Sequence, residues 1–176
     1  MDEEPESEPR WEVVLRSYFF DASAIVKLVV PEPGSEKVRS IISNSGSVIH
    51  TSWVLIAEAL GCLKRKWQVD KTLDDKQYTQ AVFVLLHYIE SDLRVVDIGT
   101  DHRGRISLLV FRQGILEGRT KHPKLDVADT LQFQAIKQGF LRVFAGESKT
   151  RLVSADRKLI RAARAEGIEV LPVNKD

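Results

Sequence analysis

Apolar residues occur in this chain in two alternating patterns, as short continuous runs and as longer segments with a helical period. The run at 13–20 is rich in β-branched and aromatic residues and is broken only by Arg16 and Ser17, which predicts a strand buried on both faces. Shorter runs predict further strands at 47–49, 93–98, 141–144, 151–154 and 168–171. Segments of helical composition or period lie between them, at 22–30, 35–42, 53–67, 71–91, 102–116, 126–137 and 157–166. This alternation predicts an α/β sandwich of three layers, with a mostly parallel sheet covered by helices on both faces.

Capping residues fix several of the predicted helix ends. Thr51 or Ser52 is placed to cap the third helix, because a hydroxyl there can accept a backbone N–H of the first turn. Gly118 is predicted to end the fifth helix and Gly139 the sixth. A basic loop at 119–124 is expected between these two helices.

Length and composition predict one compact domain at 11–176. The chain has 176 residues, of which 43% are hydrophobic, and this is enough to bury a core without disulfides. Residues 1–10 hold five acids and two prolines but little apolar surface, which predicts a disordered acidic tail. The whole chain has 26 basic and 25 acidic residues, so the remainder is expected to be mildly basic.

Two classes of protein are disfavoured by composition. Cys62 is the single cysteine and the four histidines are scattered, so no cluster has the spacing of a zinc site. A lone cysteine also fits a reducing compartment. No apolar run approaches the ~20 residues that span a bilayer, and the acidic start does not resemble a secretion signal. We therefore expect a cytoplasmic protein with no membrane partner.

Two acids directly follow predicted strands. Asp21 comes after the first strand, and Asp156 comes just after the strand at 151–154. Either could simply cap the helix that follows, since Asp is a favoured cap. If both strands are parallel and central, however, both carboxylates lie in the crevice where open parallel sheets bind ligands. Two carboxylates that close are unfavourable unless a cation lies between them.

Helix positions supply three further acids. Glu58 is the only charged residue in the first two turns of an otherwise apolar helix, where an exposed stripe or a pair with Arg65 is the structural alternative. Asp126 and Asp129 are three residues apart and share a helix face near its start. One of them could be a cap and the other a ligand, and Asp129 lies deeper in the helix.

Four segments in this order resemble the PIN-domain nucleases, and among them the bacterial and archaeal VapC-like proteins. They are Tyr18-Phe19-Phe20-Asp21-Ala22-Ser23-Ala24-Ile25-Val26-Lys27-Leu28, the Glu58 helix, Val127-Ala128-Asp129-Thr130-Leu131, and Leu152-Val153-Ser154-Ala155-Asp156-Arg157. The resemblance covers roughly residues 17–173. It implies a Rossmann-like sheet and an acidic pocket that binds Mg²⁺ or Mn²⁺ and cleaves RNA, often in a homodimer. A VapC-like protein would be a toxin held in check by a small antitoxin.

The resemblance also implies a role for individual residues. Asp21, Glu58 and Asp129 match the three acids most used by such sites, Asp156 matches the fourth, and Asp126 is a rival or supplement to Asp129. Ser23 and Ser154 match hydroxyls that assist the pocket. The stretch 140–150 separates the last two acids more widely than in compact relatives. Oxygen-ligated hard cations suit phosphodiester hydrolysis, because they activate water and neutralise charge on the phosphoryl oxygens.

Basic residues follow two of the acids. Arg65 lies seven residues after Glu58, on roughly the same helix face, and Arg157 directly follows Asp156. Both are candidates for contacting substrate phosphates, which a nuclease must hold beside its acids. Most of the neighbouring Lys and Arg residues are expected to be ordinary solvated positions.

Other functions fit the sequence less well. Phosphotransferases of the haloacid dehalogenase type need an Asp two residues after the first, and Ser23 occupies that position. A nicotinamide dehydrogenase needs a glycine-rich turn after the first strand, and residues 21–26 contain no glycine. The remaining alternative is a catalytically weak PIN fold that binds RNA or a protein.

Overall fold

The computed structural model describes residues 15–174 except 102, 104 and 106, and it describes the backbone but not the side chain of residue 147. The predicted acidic tail at 1–10 and the start of the first predicted strand lie outside the described residues. None of the described helices is long and apolar enough to cross a bilayer.

Five parallel strands form the central sheet. They are β1 (Arg16–Phe20), β2 (Ser47–Thr51), β3 (Leu93–Val95), β4 (Arg151–Ser154) and β5 (Val170–Pro172). Their order is β3-β2-β1-β4-β5, and every neighbouring pair is parallel. The predicted α/β sandwich is confirmed, and its sheet is parallel throughout the described residues.

Helices connect the strands and flank the sheet. They are α1 (Ala22–Val29), α2 (Ser35–Ile42), α3 (Trp53–Gln68), α4 (Asp75–Ser91), α5 (Leu108–Thr120), α6 (Val127–Lys137) and α7 (Arg157–Ala165). The first four pack on one another around α1, while α5 packs against α6 and α7 lies on β4 and β5. Parallel strands need such crossovers, because consecutive strands must start from the same end of the sheet.

Burial is deepest in the middle of the sheet. Phe19 and Phe20 of β1 and Leu152 and Val153 of β4 are fully buried, as expected for strands covered on both faces. Burying each large apolar side chain contributes ~1.5–3 kcal/mol relative to exposure. The core therefore fixes the relative positions of β1 and β4, whose last residues carry the candidate chemistry.

The chain changes direction across the sheet at β1. From β1 it proceeds outward to β2 and β3, and then crosses back to β4 and β5 on the other side. The carboxyl ends of β1 and β4 therefore lie at a topological switch point, which is where open α/β sheets form a ligand crevice.

One predicted strand is wrong. Residues Phe140–Val143 form a 3-10 turn in place of the strand predicted at 141–144. Arg142 N–H donates to the carbonyl of Gly139 and Phe144 N–H to that of Leu141, so local bonds replace a sheet ladder. Both sides of β1 are already taken by β2 and β4, and the buried Leu141 packs into the core from this turn.

The fifth helix also differs from its prediction. It begins after Ser107, whose hydroxyl accepts the N–H of Val110, and it continues through Gly118 to Thr120. Gly118 does not end the helix, because its role is close packing: a Cβ there would lie 2.9 Å from the Oγ1 of Thr130 on α6. The predicted basic loop at 119–124 is correspondingly shorter.

Candidate active site

Asp21 follows β1 directly and is almost fully buried, with 4% of its surface exposed. Its Oδ1 accepts the N–H of Ala24 at 2.9 Å, so it does cap α1. It also accepts hydroxyl bonds from Ser23 to Oδ1 at 2.8 Å and from Ser154 to Oδ2 at 2.7 Å. A cap alone needs only the first of these bonds, and the two serines fix the carboxylate in one orientation.

Both serines also hold the end of β4. The Ser23 hydroxyl accepts the N–H of Ala155 at 2.7 Å, and the Ser154 hydroxyl accepts the N–H of Asp156 at 2.9 Å. Each hydroxyl therefore bridges Asp21 to the backbone on which Asp156 stands. The strand-end acids are joined through two hydrogen-bonded serines, which is the arrangement expected of assisting hydroxyls.

Asp156 is exposed and caps α7. Its Oδ1 accepts the backbone N–H groups of Lys158 at 2.6 Å and of Leu159 at 3.2 Å. Its charge also acts on Asp21, whose pKa it helps to raise. The two acids that follow β1 and β4 thus face the same crevice, as the parallel sheet predicts.

Glu58 is half-buried in the second turn of α3. Ser52, whose hydroxyl accepts the N–H of Leu55, caps this helix, and the predicted cap is thereby resolved in favour of Ser52 over Thr51. Burial raises the pKa of Glu58, and the negative charges of Asp126 and Asp21 raise it further. The charges of two other candidate acids therefore act on Glu58.

Asp126 and Asp129 divide the roles of cap and inner acid. Asp126 is exposed and caps α6, with its Oδ1 accepting the N–H of Asp129 at 2.8 Å. Asp129 is half-buried, and its pKa is raised to about 7. Burial is the largest cause, followed by the charge of Asp126 and by the charges of Asp156 and Glu58.

The five acids form one electrostatic cluster, which we call the acid cluster: Asp21, Glu58, Asp126, Asp129 and Asp156. Burial raises the pKa of Asp21 to about 6 against the bonds donated by Ala24, Ser154 and Ser23, which lower it. Neighbouring carboxylates repel one another, and this repulsion favours protonation of a carboxylate or binding of a cation. The charge of each acid that the sequence singled out thus acts on the pKa of at least one other or is acted on by it.

The donor set fits a hard cation. All five side chains offer carboxylate oxygens, which Mg²⁺ and Mn²⁺ prefer. Within the described residues, no three carboxylate, imidazole or thiol groups already stand in an arrangement that holds a metal ion. Asp126 and Asp156 each use Oδ1 for a helix cap, which leaves Oδ2 of both for another partner. The chemistry of the donor set therefore fits such a cation.

The candidate phosphate contacts lie on the surface. Arg65 and Arg157 are both exposed, and neither forms an ion pair within the described part of the chain. Arg157 stands beside Asp156 at the start of α7, and Arg65 lies in the last turn of α3. Both remain predictions as substrate ligands.

Gln132 is a residue of this site that sequence reasoning missed. It is 1% exposed, and its Nε2 lies 3.5 Å from Oδ1 of Asp129. Its Oε1 has no hydrogen-bond partner among the described residues. A glutamine three residues after an acid, on the same helix face, was the available signal.

A family model for the PIN domain matches residues 18–176. The chain belongs to the PIN-domain family. Members of this family are generally nucleases, and the resemblance noted in the sequence is confirmed. No curated protein sequence matches the chain.

Two solved structures share the fold of this PIN domain. PAE2754 from Pyrobaculum aerophilum has 19% sequence identity and a TM-score of 0.51, with 88% of this chain and 89% of that chain covered. VapBC2 from Rickettsia felis, solved bound to a DNA fragment from its promoter, has 15% identity and a TM-score of 0.54, with 88% and 97% covered. The described sheet and helices are therefore those of a PIN domain over nearly its whole length.

Proposed function

We propose that this PIN domain is a divalent-metal-dependent endoribonuclease that hydrolyses RNA phosphodiester bonds at the acid cluster. Asp21, Glu58, Asp129 and Asp156 are its proposed catalytic and metal-binding residues. The observation that carries the proposal is the buried Asp21 carboxylate, oriented by two serines at the switch point among four other acids. Structural carboxylates are seldom buried next to like charges, because each such neighbour opposes ionisation.

Mg²⁺ or Mn²⁺ is the proposed cofactor. Asp21, Glu58, Asp129 and Asp156 would hold it, with Asp126 as a supplementary ligand through the oxygen that is not bound in the helix cap. When bound, such an ion lowers the pKa of water and neutralises charge on the phosphoryl oxygens. It also removes the mutual repulsion that raises the pKa values of Asp21, Glu58 and Asp129.

The chain's own contribution is orientation. Ser23 and Ser154 donate to the two oxygens of Asp21 and so keep its carboxylate in one plane. Their bonds to the backbone of Ala155 and Asp156 couple that plane to the end of β4. Outer partners of this kind tune metal affinity, because they decide how the ligand oxygens point.

RNA is the proposed substrate, with Arg65 and Arg157 as the proposed phosphate contacts. Both guanidinium groups are exposed and are not engaged by carboxylates within the described residues. Arginine suits this role, because its planar group binds phosphate oxygens in pairs.

Protein partners are proposed for the outer face of α5. Leu108, Leu109 and Leu116 on this helix are 81%, 71% and 54% exposed. An apolar face of this kind marks an interaction site more often than a free surface.

In line with the VapC-like resemblance, we propose that the protein forms a homodimer and acts in the cytoplasm. We also propose that it is a toxin restrained by a cognate antitoxin.

The first test is calorimetric titration of Mn²⁺ into metal-free protein, comparing wild type with Asp21→Asn, while cleavage of a mixed RNA pool is followed in the same samples. We expect saturable binding and cleavage in the wild type, and loss of both in the variant. Binding without cleavage would favour a PIN fold that binds RNA or protein with little turnover. No binding in either protein would overturn the proposal.

A further inference from the structure

A concave surface lies between α7 and the turn that joins α5 to α6. We call it the basic groove, and its volume is about 440 Å³. One wall is formed by residues of the turn and the other by residues of α7. Its lining consists of Lys121, His122, Pro123, Lys124, Leu125, Lys158, Arg161, Ala162 and Ala165.

Four of the nine lining residues are Lys or Arg, and the rest of the lining is largely apolar. Lys121 is compensated by Glu117 at 3.2 Å and by Glu166 at 3.9 Å. Lys124, Lys158 and Arg161 have no carboxylate within 4.0 Å in the part of the chain that the structure describes. Uncompensated cations on the walls of one groove attract a polyanion, since they gain counter-charge from it.

The turn is held firmly in place. The Nε2 of His122 lies 3.0 Å from Oε1 of Glu166, and the Nζ of Lys137 lies 2.5 Å from the other oxygen of the same carboxylate. The His122 ring also packs edge-on against Phe133, with 5.6 Å between centroids. These contacts join the turn to α6 and to the end of α7, so the groove is preformed and loses little entropy on binding.

The groove opens next to the acid cluster. Leu125 of the groove immediately precedes Asp126, and the backbone N–H of Lys158 donates to Oδ1 of Asp156 at 2.6 Å. The two walls of the groove therefore begin where two of the five acids stand. A chain with a phosphate at the acids and a backbone running along α7 would pass between Lys124 and Arg161.

We propose that the basic groove binds the sugar–phosphate backbone of single-stranded RNA on one side of the bond that is cut. This proposal rests on the proposed function, because it takes the adjacent acids to be the site of cleavage. The basic residues of the groove do not depend on that assignment. The apolar lining residues Leu125, Ala162 and Ala165 suit the faces of unstacked bases, which a single strand exposes and a duplex does not. Because the cationic groups recognise phosphate, binding there is expected to tolerate any sequence.

The test measures binding separately from cleavage. Asp21→Asn protein in EDTA is titrated into a fluorescently labelled single-stranded oligoribonucleotide, and the anisotropy is followed over a series of salt concentrations. The groove variant adds Lys124→Ala and Arg161→Ala. The matched control adds Lys37→Ala and Lys76→Ala, which remove the same charge from exposed positions of α2 and α4 outside the groove.

We expect the groove variant to bind about 10-fold more weakly than its parent, with a salt slope smaller by about 1.4, because each phosphate contact on a single strand contributes about 0.7. The control is expected to change affinity less than about twofold. Circular dichroism and melting temperature establish that both variants fold as their parent does.

Several results would overturn the groove as an RNA site. An equal loss of RNA affinity in the groove variant and the control would mean that net charge alone attracts the RNA. An unchanged affinity in the groove variant would mean that the groove does not bind RNA. Equal loss of duplex and single-stranded binding would overturn the strand preference. If the groove variant still binds RNA but no longer binds a poly-glutamate peptide, the surface would be assigned to an acidic protein partner.

Wild-type cleavage with Mn²⁺ separates the two proposals. If wild type does not cleave but RNA binding still depends on Lys124 and Arg161, the nuclease assignment fails and the groove stands as a nucleic-acid site. If wild type cleaves, and the substitutions Lys124→Ala and Arg161→Ala made in the wild-type chain with Asp21 intact raise KM and leave kcat unchanged, both proposals stand. Cleavage with an unchanged KM in that Asp21-containing double variant would refute the groove alone.

Discussion

The hydroxyl of Ser154 donates to Oδ2 of Asp21 across 2.7 Å, although 133 residues separate the two in the chain. The same hydroxyl accepts the backbone N–H of Asp156 at 2.9 Å. Ser154 is fully buried, so these bonds are shielded from water. One side chain therefore sets both the direction of the buried carboxylate and the path of the backbone that carries the exposed one.

Replacing Ser154 by Ala is expected to weaken Mn²⁺ binding about 10-fold, because loss of an outer hydrogen bond typically costs that much or more. The Ser154 hydroxyl also lowers the pKa of Asp21, so its loss should raise that pKa further. Calorimetric titration measures the affinity. Ser40→Ala removes an exposed hydroxyl that bonds only locally and serves as the control. Equal affinities in both variants would contradict a positioning role for Ser154.

Stability without metal should depend on pH through the buried acids. The pKa of Asp21 is about 6 in the folded protein against an ordinary value of 3.8. A raised native pKa means that the folded state binds the proton more tightly, so this stabilisation is full below about pH 4 and is lost as pH rises through 6. For Asp21 the whole change is about 3 kcal/mol.

Urea unfolding in EDTA at pH 4.0 and pH 7.5 measures this effect, with wild type compared to Asp21→Asn. The wild type is expected to lose more free energy of unfolding between the two pH values than the variant, since Asn keeps the cap but carries no charge. Mn²⁺ at pH 7.5 should restore wild-type stability selectively. If the free energy of unfolding changes equally with pH in the two proteins, ionisation of Asp21 does not destabilise the folded state.

Asp129 and Asp126 are predicted to contribute unequally. Asp129→Asn should reduce Mn²⁺ affinity and cleavage more than Asp126→Asn does, because Asp129 is half-buried among the acids whereas Asp126 is exposed and committed to a cap. Asn can preserve that cap. Titration and cleavage assays on both variants provide the comparison, and a larger loss for Asp126→Asn would reverse the assignment.

Two helical glycines should respond in opposite directions to alanine. A Cβ at Gly114 would lie 2.6 Å from Cδ2 of Leu131, so Gly114→Ala must disturb the contact of α5 with α6 and is expected to cost about 1–3 kcal/mol. Gly61 has nothing within 4 Å of such a Cβ, and Gly61→Ala should stabilise α3 by up to about 1 kcal/mol. Urea unfolding of both variants tests this. Similar effects in both would show that α5 and α6 can move apart at little cost.

Much of the acid cluster could be predicted from local sequence, for a physical reason. Asp21 directly follows an apolar run and Asp156 lies just beyond another, while Glu58 interrupts an apolar helix. Parallel strands place such residues at one edge of the sheet whatever the strand order. The prediction of α/β architecture rests on the same periodicity and did not need long-range information.

The hydrogen bonds that orient the cluster could not be predicted in this way. The bond from Ser154 to Asp21 exists because β4 pairs with β1, and strand order is a property of the whole chain. The basic groove likewise joins Lys124 to Arg161 across segments that sequence spacing does not connect. Local patterns failed also at Gly118, where packing against Thr130 outweighs the usual tendency of glycine to end a helix.

β1 lies between β2, which follows it directly in the chain, and β4, which comes much later. This position has a consequence during synthesis. Pairing with β2 is available once residue 51 has emerged, but Asp21 meets Ser154 only after the whole of β4 has been synthesised. A nascent or prematurely terminated chain that lacks β4 has no complete acid cluster. On the proposed function, ribosome-bound fragments that end before residue 154 should therefore not cleave RNA.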